Sequence, residues 1–142
     1  MKIVVDASVA IKWFLTENLN QEADRFLHDN YVLIAPNFLL LEVSNIVWKK
    51  TMRSEIEGKD FAFIIGSLKS FMSVLHPIEP FLFLAQQLAF QLRHPVYDCL
   101  YLATAMMNKT RVITADRKFY NRVADSEYSE SIAWIENPPV LQ

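Results

Sequence analysis

Four acids stand where a strand is ending or a helix is under way: Asp6 after Ile3-Val4-Val5, Glu42 within Phe38 to Trp48, Asp98 after His94-Pro95-Val96-Tyr97, and Asp116 after Ile113-Thr114-Ala115. Oxygen ligands crowded into one cluster are what a hard divalent cation such as Mg²⁺ or Mn²⁺ demands. Without a cation such a cluster repels itself. With one or two ions the repulsion is offset, and the ions bind a phosphate, lower the pKa of an attacking water and stabilise a leaving oxygen. Ser8 and Thr114 each lie two residues from an acid, where a hydroxyl can orient a carboxylate or a metal-bound water.

Each of these residues also has a plainer reading. Asp6 and Asp116 are good N-cap types for the helices that follow them, and Ser8 and Thr114 can serve as caps as well. Asp98 sits in a helical first turn, where the positive end of the dipole favours an acid. Glu42 shares one helical face with Asn45 and Lys49, which fits an ordinary solvated stripe. The segment around Glu42 is apolar on most other sides, however, and ionised acids are seldom buried unpaired. Capping and metal binding are compatible, so the two readings of Asp6 and Asp116 do not compete.

The elements that would position these acids alternate. Ile3-Val4-Val5 reads as a β-branched strand, Val9 to Leu15 as a helix, Gln21 to His28 as a helix, and Tyr31 to Ala35 as a buried strand stopped by Pro36. Phe38 to Met52 is predicted to be a long helix with Lys49, Lys50 and Arg53 at its end. Gly58 to Leu75 and Pro80 to Arg93 read as an inserted helical pair. Tyr97 to Asn108 has helical periodicity, Arg111 to Thr114 reads as a strand, and Ser131 to Ile135 as the last one. Alternation of this kind predicts an α/β domain whose parallel sheet is covered on both faces. In open sheets of that type, sites form beyond the carboxyl ends of strands, which is where Asp6 and Asp116 fall. The domain is expected over residues 1–136, with residues 137–142 as a C-terminal tail.

Composition narrows the function classes. The 142 residues suit one compact domain, and a 52% hydrophobic content excludes disorder and leaves an apolar surplus for an interface. A net charge of −2 does not suit a protein that coats nucleic acid by bulk positive charge, so any such contact must be local. The lone Cys99 leaves no intramolecular disulfide and no cysteine cluster for zinc, as expected of the cytoplasm. No apolar run reaches a membrane span, and an acid at position 6 interrupts any secretory apolar core. The three tryptophans, Trp13, Trp48 and Trp134, are expected in core or interface.

Taken together, the motifs resemble those of the PIN-domain nucleases, most closely the VapC-type toxins of type II toxin-antitoxin pairs. The resemblance is carried by Val5-Asp6-Ala7-Ser8-Val9 with Lys12-Trp13-Phe14, by Ala35-Pro36 with Glu42-Val43-Ser44-Asn45, by His94-Pro95-Val96-Tyr97-Asp98, and by Thr114-Ala115-Asp116 with Phe119. It implies a three-layer α/β/α sandwich with a central, mostly parallel sheet. It also implies an Mg²⁺- or Mn²⁺-dependent endoribonuclease that hydrolyses RNA with a metal-activated water, with Asp6, Glu42, Asp98 and Asp116 as its acidic quartet. A homodimer and a cognate antitoxin protein follow from the same resemblance. Lys12, Lys49, Arg117 and Lys118 are candidates to hold flanking RNA phosphates, beside Lys50, Arg53 and Arg122 in the same groups. A helix-end charge or a solvated face is the simpler account of each.

Other readings use less of the sequence. Cys99 with His28, His76 or His94 could form a hydrolase pair, but a cysteine in an apolar helix is ordinarily packing, and Pro95 makes His94 a turn residue. A phosphate-cradling loop is missing, since the glycines, Gly58 and Gly66, occupy no strand-to-helix turn. Asp6 as a phosphoryl-accepting nucleophile leaves Glu42 and Asp98 unexplained. Two relatives of the main reading stay open: a catalytically silent PIN-like domain that binds RNA or protein, and a DNA-directed PIN-type nuclease.

Overall fold

The computed structural model describes residues 1–140. Ile3, Val4 and Val5 of strand β1 (Lys2–Val5) are all fully buried. Successive strand side chains point to opposite faces, so burial of all three means that both faces of the sheet are covered. Four further strands join it: β2 (Val32–Pro36), β3 (Val74–His76), β4 (Val112–Thr114) and β5 (Ile132–Trp134). Their order is β3-β2-β1-β4-β5 and every pairing is parallel, with Val4 opposite Ile34 on one side and Val5 opposite Ile113 on the other. The helices are α1 (Ala7–Ala10), α2 (Asn20–His28), α3 (Phe38–Met52), α4 (Phe61–Phe71), α5 (Glu79–Leu92), α6 (Val96–Met107) and α7 (Arg117–Ala124). They complete the expected three-layer α/β/α sandwich.

That strand order carries functional information. The chain moves outward from β1 through β2 to β3, then returns to the other side of β1 for β4 and β5. The reversal leaves a crevice beyond the carboxyl ends of β1 and β4, the position at which open α/β sheets hold ligands. Helix α6 runs through the centre of the molecule: every residue from Cys99 to Ala105 is buried, as in a helix enclosed on all sides. Its first turn, with Asp98, is therefore held by the core and not by a surface loop.

Two stretches differ from expectation. Gly58 to Leu75 is not one helical segment but a 3₁₀ turn over Gly58–Asp60, helix α4, and then edge strand β3, which pairs with β2. Three residues are too few for a strand pattern to register in sequence, and β3 is selected by tertiary pairing, with the Ser73 amide donating to the Leu33 carbonyl. Val9 to Leu15 is not a continuous helix either: α1 has four residues and passes into a 3₁₀ turn over Ile11–Trp13. Trp13 Nε1 donates to the Ala23 carbonyl, and Asn20 Nδ2 donates to Lys12 and Leu15 carbonyls, so side chains close this connection.

Of the expected tail, Leu141 and Gln142 lie outside the described residues. Its earlier part is tied down, since Asn137 donates its amide to Trp134 and Tyr31 Oη donates to the Pro139 carbonyl. Among the described residues no helix is long and apolar enough to cross a membrane.

Candidate active site

Asp6 follows β1 directly and caps α1, and its neighbours are gathered from both sides of the topological switch. Its Oδ1 accepts from Ser8 Oγ at 2.5 Å and from the Val9 amide at 3.3 Å, while its Oδ2 accepts from Thr114 Oγ1 at 2.5 Å. Thr114 is the last residue of β4, so this hydrogen bond joins the two strand ends. The network continues from the Ala115 amide to Ser8 Oγ at 2.8 Å and from the Asp116 amide to Thr114 Oγ1 at 3.0 Å. Ser8 and Thr114 thus both donate to Asp6, and Asp116 caps α7 by accepting from the Lys118 and Phe119 amides. The capping reading of both aspartates holds without using up the crevice.

Glu42 and Asp98 reach the same place from helices. Tyr101 Oη, on α6, donates to Glu42 Oε1 at 2.6 Å across from α3. His94 Nε2 lies 2.6 Å from Asp98 Oδ2, and its ring stacks on Phe119 with centroids 5.3 Å apart. His94 is therefore more than the turn residue expected from Pro95. It is 7% exposed and faces an acid four positions on.

The electrostatics tie the four acids together. Burial pushes the Asp6 carboxyl up to about 7, against the hydrogen bonds from Ser8 and Thr114, and the charges of Asp98 and Glu42 add to the rise. Glu42 is raised chiefly by burial, with the Tyr101 hydrogen bond opposing and the charges of Asp98 and Asp116 adding. Asp98 is raised by burial as well, with His94 opposing and Asp116 adding. Burial and the adjacent Glu42 hold the Tyr101 phenol well above its usual range, so it is a donor at any ordinary pH. Of the four acids, only Asp98 has an ion-pair partner among the described residues, the His94 imidazole.

This is an accumulation of negative charge with no lysine or arginine among the causes of its shifted carboxyls, and hard oxygen donors in that state fit a divalent cation. As the side chains stand, no three His, Cys, Asp or Glu groups among the described residues are close enough to grip one ion. Asp6, Glu42, Asp98 and Asp116 are instead each held by hydrogen bonds of their own around the crevice. The donor set fits a divalent cation in kind and charge.

The basic residues divide. Lys12, a suggested phosphate contact, is nearly buried and paired with Glu17 at 3.2 Å, and Lys50 bridges Glu17 and Glu55. Lys49 and Lys118 are exposed. Arg117, next to Asp116, lies over the Trp134 ring at 3.7 Å, which leaves the donor edge of its guanidinium outward. Trp134 and Trp13 belong to core packing as expected, whereas Trp48 is exposed. Cys99 is fully buried, its thiol pushed up to about 12 by burial and by Asp98, and it faces the His94 backbone carbonyl, not the ring. A cysteine-histidine pair is thereby set aside.

Tyr101 was absent from the candidates read from sequence, and His94 was weighed only as a partner of Cys99. For Tyr101 the available signal was spacing, since residues 98 and 101 lie about one turn apart on α6, whereas His94 precedes the helix.

Comparison with known proteins places this architecture. Residues 3–125 match the sequence family described as PIN domain. The chain is 28% identical over 120 residues to Ribonuclease VapC3 of Pyrobaculum aerophilum, an alignment spanning 83% of this chain and 92% of that relative. The crystal structure of PAE2754 from Pyrobaculum aerophilum is similar with a TM-score of 0.66 at 17% identity, covering 96% of this chain and 85% of that one. The last of these is a likeness of fold alone.

Proposed function

The chain belongs to the PIN domain family, whose pattern spans the greater part of it, and from that membership we propose that it is a divalent-metal-dependent endoribonuclease of the VapC type. Asp6, Glu42, Asp98 and Asp116 are the residues to hold Mg²⁺ or Mn²⁺. The observation that carries this reading is the convergence of acids at the carboxyl ends of β1 and β4. There Asp6 accepts from Thr114 Oγ1 at 2.5 Å, the Asp116 amide donates to the same hydroxyl at 3.0 Å, and Asp98 on α6 and Glu42 on α3 stand near enough for their charges to act on Asp6. A bound ion supplies charge neutralisation at the scissile phosphate and a water acidic enough to attack near neutral pH.

The chain's own groups do the rest. Ser8 and Thr114 fix the Asp6 carboxylate. Arg117, Lys118 and Lys49 hold the flanking RNA phosphates, with Arg117 pre-oriented by Trp134. Lys12 contributes less, because its ammonium already pairs with Glu17. The likeness to Ribonuclease VapC3 supports RNA as the substrate. The role as the toxin of a toxin-antitoxin pair with a cognate antitoxin protein is carried over from the motif resemblance, and the cytoplasm as the working compartment from the lone cysteine. We assign the nuclease domain to residues 1–136.

The decisive experiment is cleavage of labelled RNA by purified protein in Mg²⁺, Mn²⁺ or chelator, with Asp6→Asn and Asp98→Asn alongside. The expected result is metal-dependent cutting that both variants lose by orders of magnitude. Equal cutting by all three proteins would defeat the carboxylate mechanism. A second reading, a silent domain that binds RNA or protein, draws on the separate hydrogen-bonding of the four acids. Metal-independent RNA binding without cleavage would select it, and preferential cutting of DNA would select the DNA-directed alternative.

A further inference from the structure

We infer that α6 and the turn that leads into it form a positioning device, in which the Tyr101 hydroxyl on the helix holds Glu42 and the His94 imidazole in the turn holds Asp98, so that both carboxylates are preset for a divalent cation. The inference rests on the carboxylate-centre reading above and concerns residues that touch the proposed ligands, not the ion or the RNA.

Tyr101 is fully buried, in a stretch of α6 where every neighbour is apolar or small. A phenylalanine would fill nearly the same volume, so the buried hydroxyl needs a partner to justify its desolvation. That partner is Glu42 Oε1 at 2.6 Å, on another helix and 59 positions away in sequence. The hydrogen bond is thus a tertiary link between α3 and α6 at the crevice.

His94 is fixed from three directions. Its backbone amide donates to the Ala89 carbonyl at 3.2 Å, its carbonyl accepts from Cys99 Sγ, and its ring lies against Phe119 at an interplanar angle of 15°. With the ring so held, Nε2 faces Asp98 Oδ2 at 2.6 Å.

Both pairs leave the same residual valence. Glu42 engages Oε1 and Asp98 engages Oδ2, while the second oxygen of each has no hydrogen-bond partner recorded among the described residues. A donor on one carboxylate oxygen fixes the rotation of the group and presents the other oxygen, which is how outer partners orient carboxylate and histidine ligands of metals. Asp6 differs, since both of its oxygens are occupied. Two of the four acids are therefore set by α6 and its entry turn, through two side chains that are both buried.

The test is Mn²⁺ binding to the full chain without RNA, read as free Mn²⁺ by electron paramagnetic resonance. Tyr101→Phe keeps the ring, His94→Phe keeps the stack on Phe119, and His94→Gln restores a donor near the Nε2 position. Tyr101→Phe and His94→Phe are each expected to weaken Mn²⁺ binding about 10- to 100-fold. His94→Gln should recover most of the second loss. The Tyr101→Phe effect should vanish in a Glu42→Gln background, because a residue acting through Glu42 is non-additive with it. A loss that persists undiminished in that background marks mere structural damage and overturns the proposal.

The two levels of failure separate. Wild-type Mn²⁺ affinity in both Tyr101→Phe and His94→Phe, with normal losses in Glu42→Gln and Asp98→Asn, overturns the positioning role alone. Absence of Mn²⁺ binding by wild type overturns the carboxylate reading and this proposal with it. If Tyr101→Phe does not fold, the His94→Phe and His94→Gln pair decides.

Discussion

At the scale of single residues, Asp6 sets the physics of the site. Its carboxyl has an ordinary value of 3.8 and is pushed up to about 7 in the folded chain, first by burial and then by its acidic neighbours. Between those two values the unfolded chain has lost the proton and the folded chain retains it. Folded protein therefore binds more protons across this window, so stability is fully present below it and falls as pH rises through it. At about 1.4 kcal/mol for each tenfold change in proton affinity, the loss is on the order of a few kcal/mol. Metal-free protein should accordingly melt at a progressively lower temperature from about pH 4 to about pH 7, and saturating Mn²⁺ should restore it at the upper end by taking the proton's place. Asp6→Asn should show a shallower slope of the same sign, because Glu42 and Asp98 are raised too. A melting temperature independent of pH in the metal-free wild type would contradict the uncompensated burial of Asp6.

At the scale of elements, helix α7 links packing to chemistry. Asp116 caps it, and Phe119 donates its amide to that carboxylate while its fully buried ring forms the wall against which His94 stacks. Phe119→Ala should cost about 3–5 kcal/mol, measured by denaturant unfolding, since it leaves a cavity where no other ring can follow. It should also weaken Mn²⁺ binding through His94, whereas a loss well below that range would show that the ring is not the support described. The same elements show what a sequence discloses. Asp6 and Asp116 were legible because a short apolar strand that ends in a capping acid is a local pattern, and Glu42 because it interrupts an apolar helix. Tyr101 and His94 were not, because their meaning lies in partners: the phenol looks like one more large residue of a buried helix, and its acid is on α3. Strand β3 was hidden for the same reason, being three residues defined by their pairing with β2. Lys12 looked free for phosphate because its pairing with Glu17 depends on how the turn after α1 folds.

At the scale of the whole molecule, the apolar surplus in composition has a location. On α5, Phe83 and Phe90 are 73% and 77% exposed and lie seven residues apart, which places them on one stripe of the helix. On α3, Leu41, Trp48 and Met52 repeat the pattern at i, i+7 and i+11, all of them exposed. Isolated apolar residues on a surface need no explanation, but two helical stripes of large side chains are what self-association removes from water. The homodimer implied by the motif resemblance is expected to use them. A stable interface of this kind buries roughly 1,200–2,000 Å² in total, and its affinity concentrates in a few central aromatic side chains. Replacing Phe83 and Phe90 together by Glu should therefore convert the dimer to a monomer in light-scattering chromatography. Neither side chain packs in the core, so the monomer should keep the wild-type circular dichroism spectrum and Mn²⁺ affinity. A wild-type protein that is already monomeric at micromolar concentration would remove the dimer from the account and leave these stripes for the antitoxin. A dimer that survives both substitutions would move the interface to the α3 stripe, with Trp48→Ala as the variant that then decides.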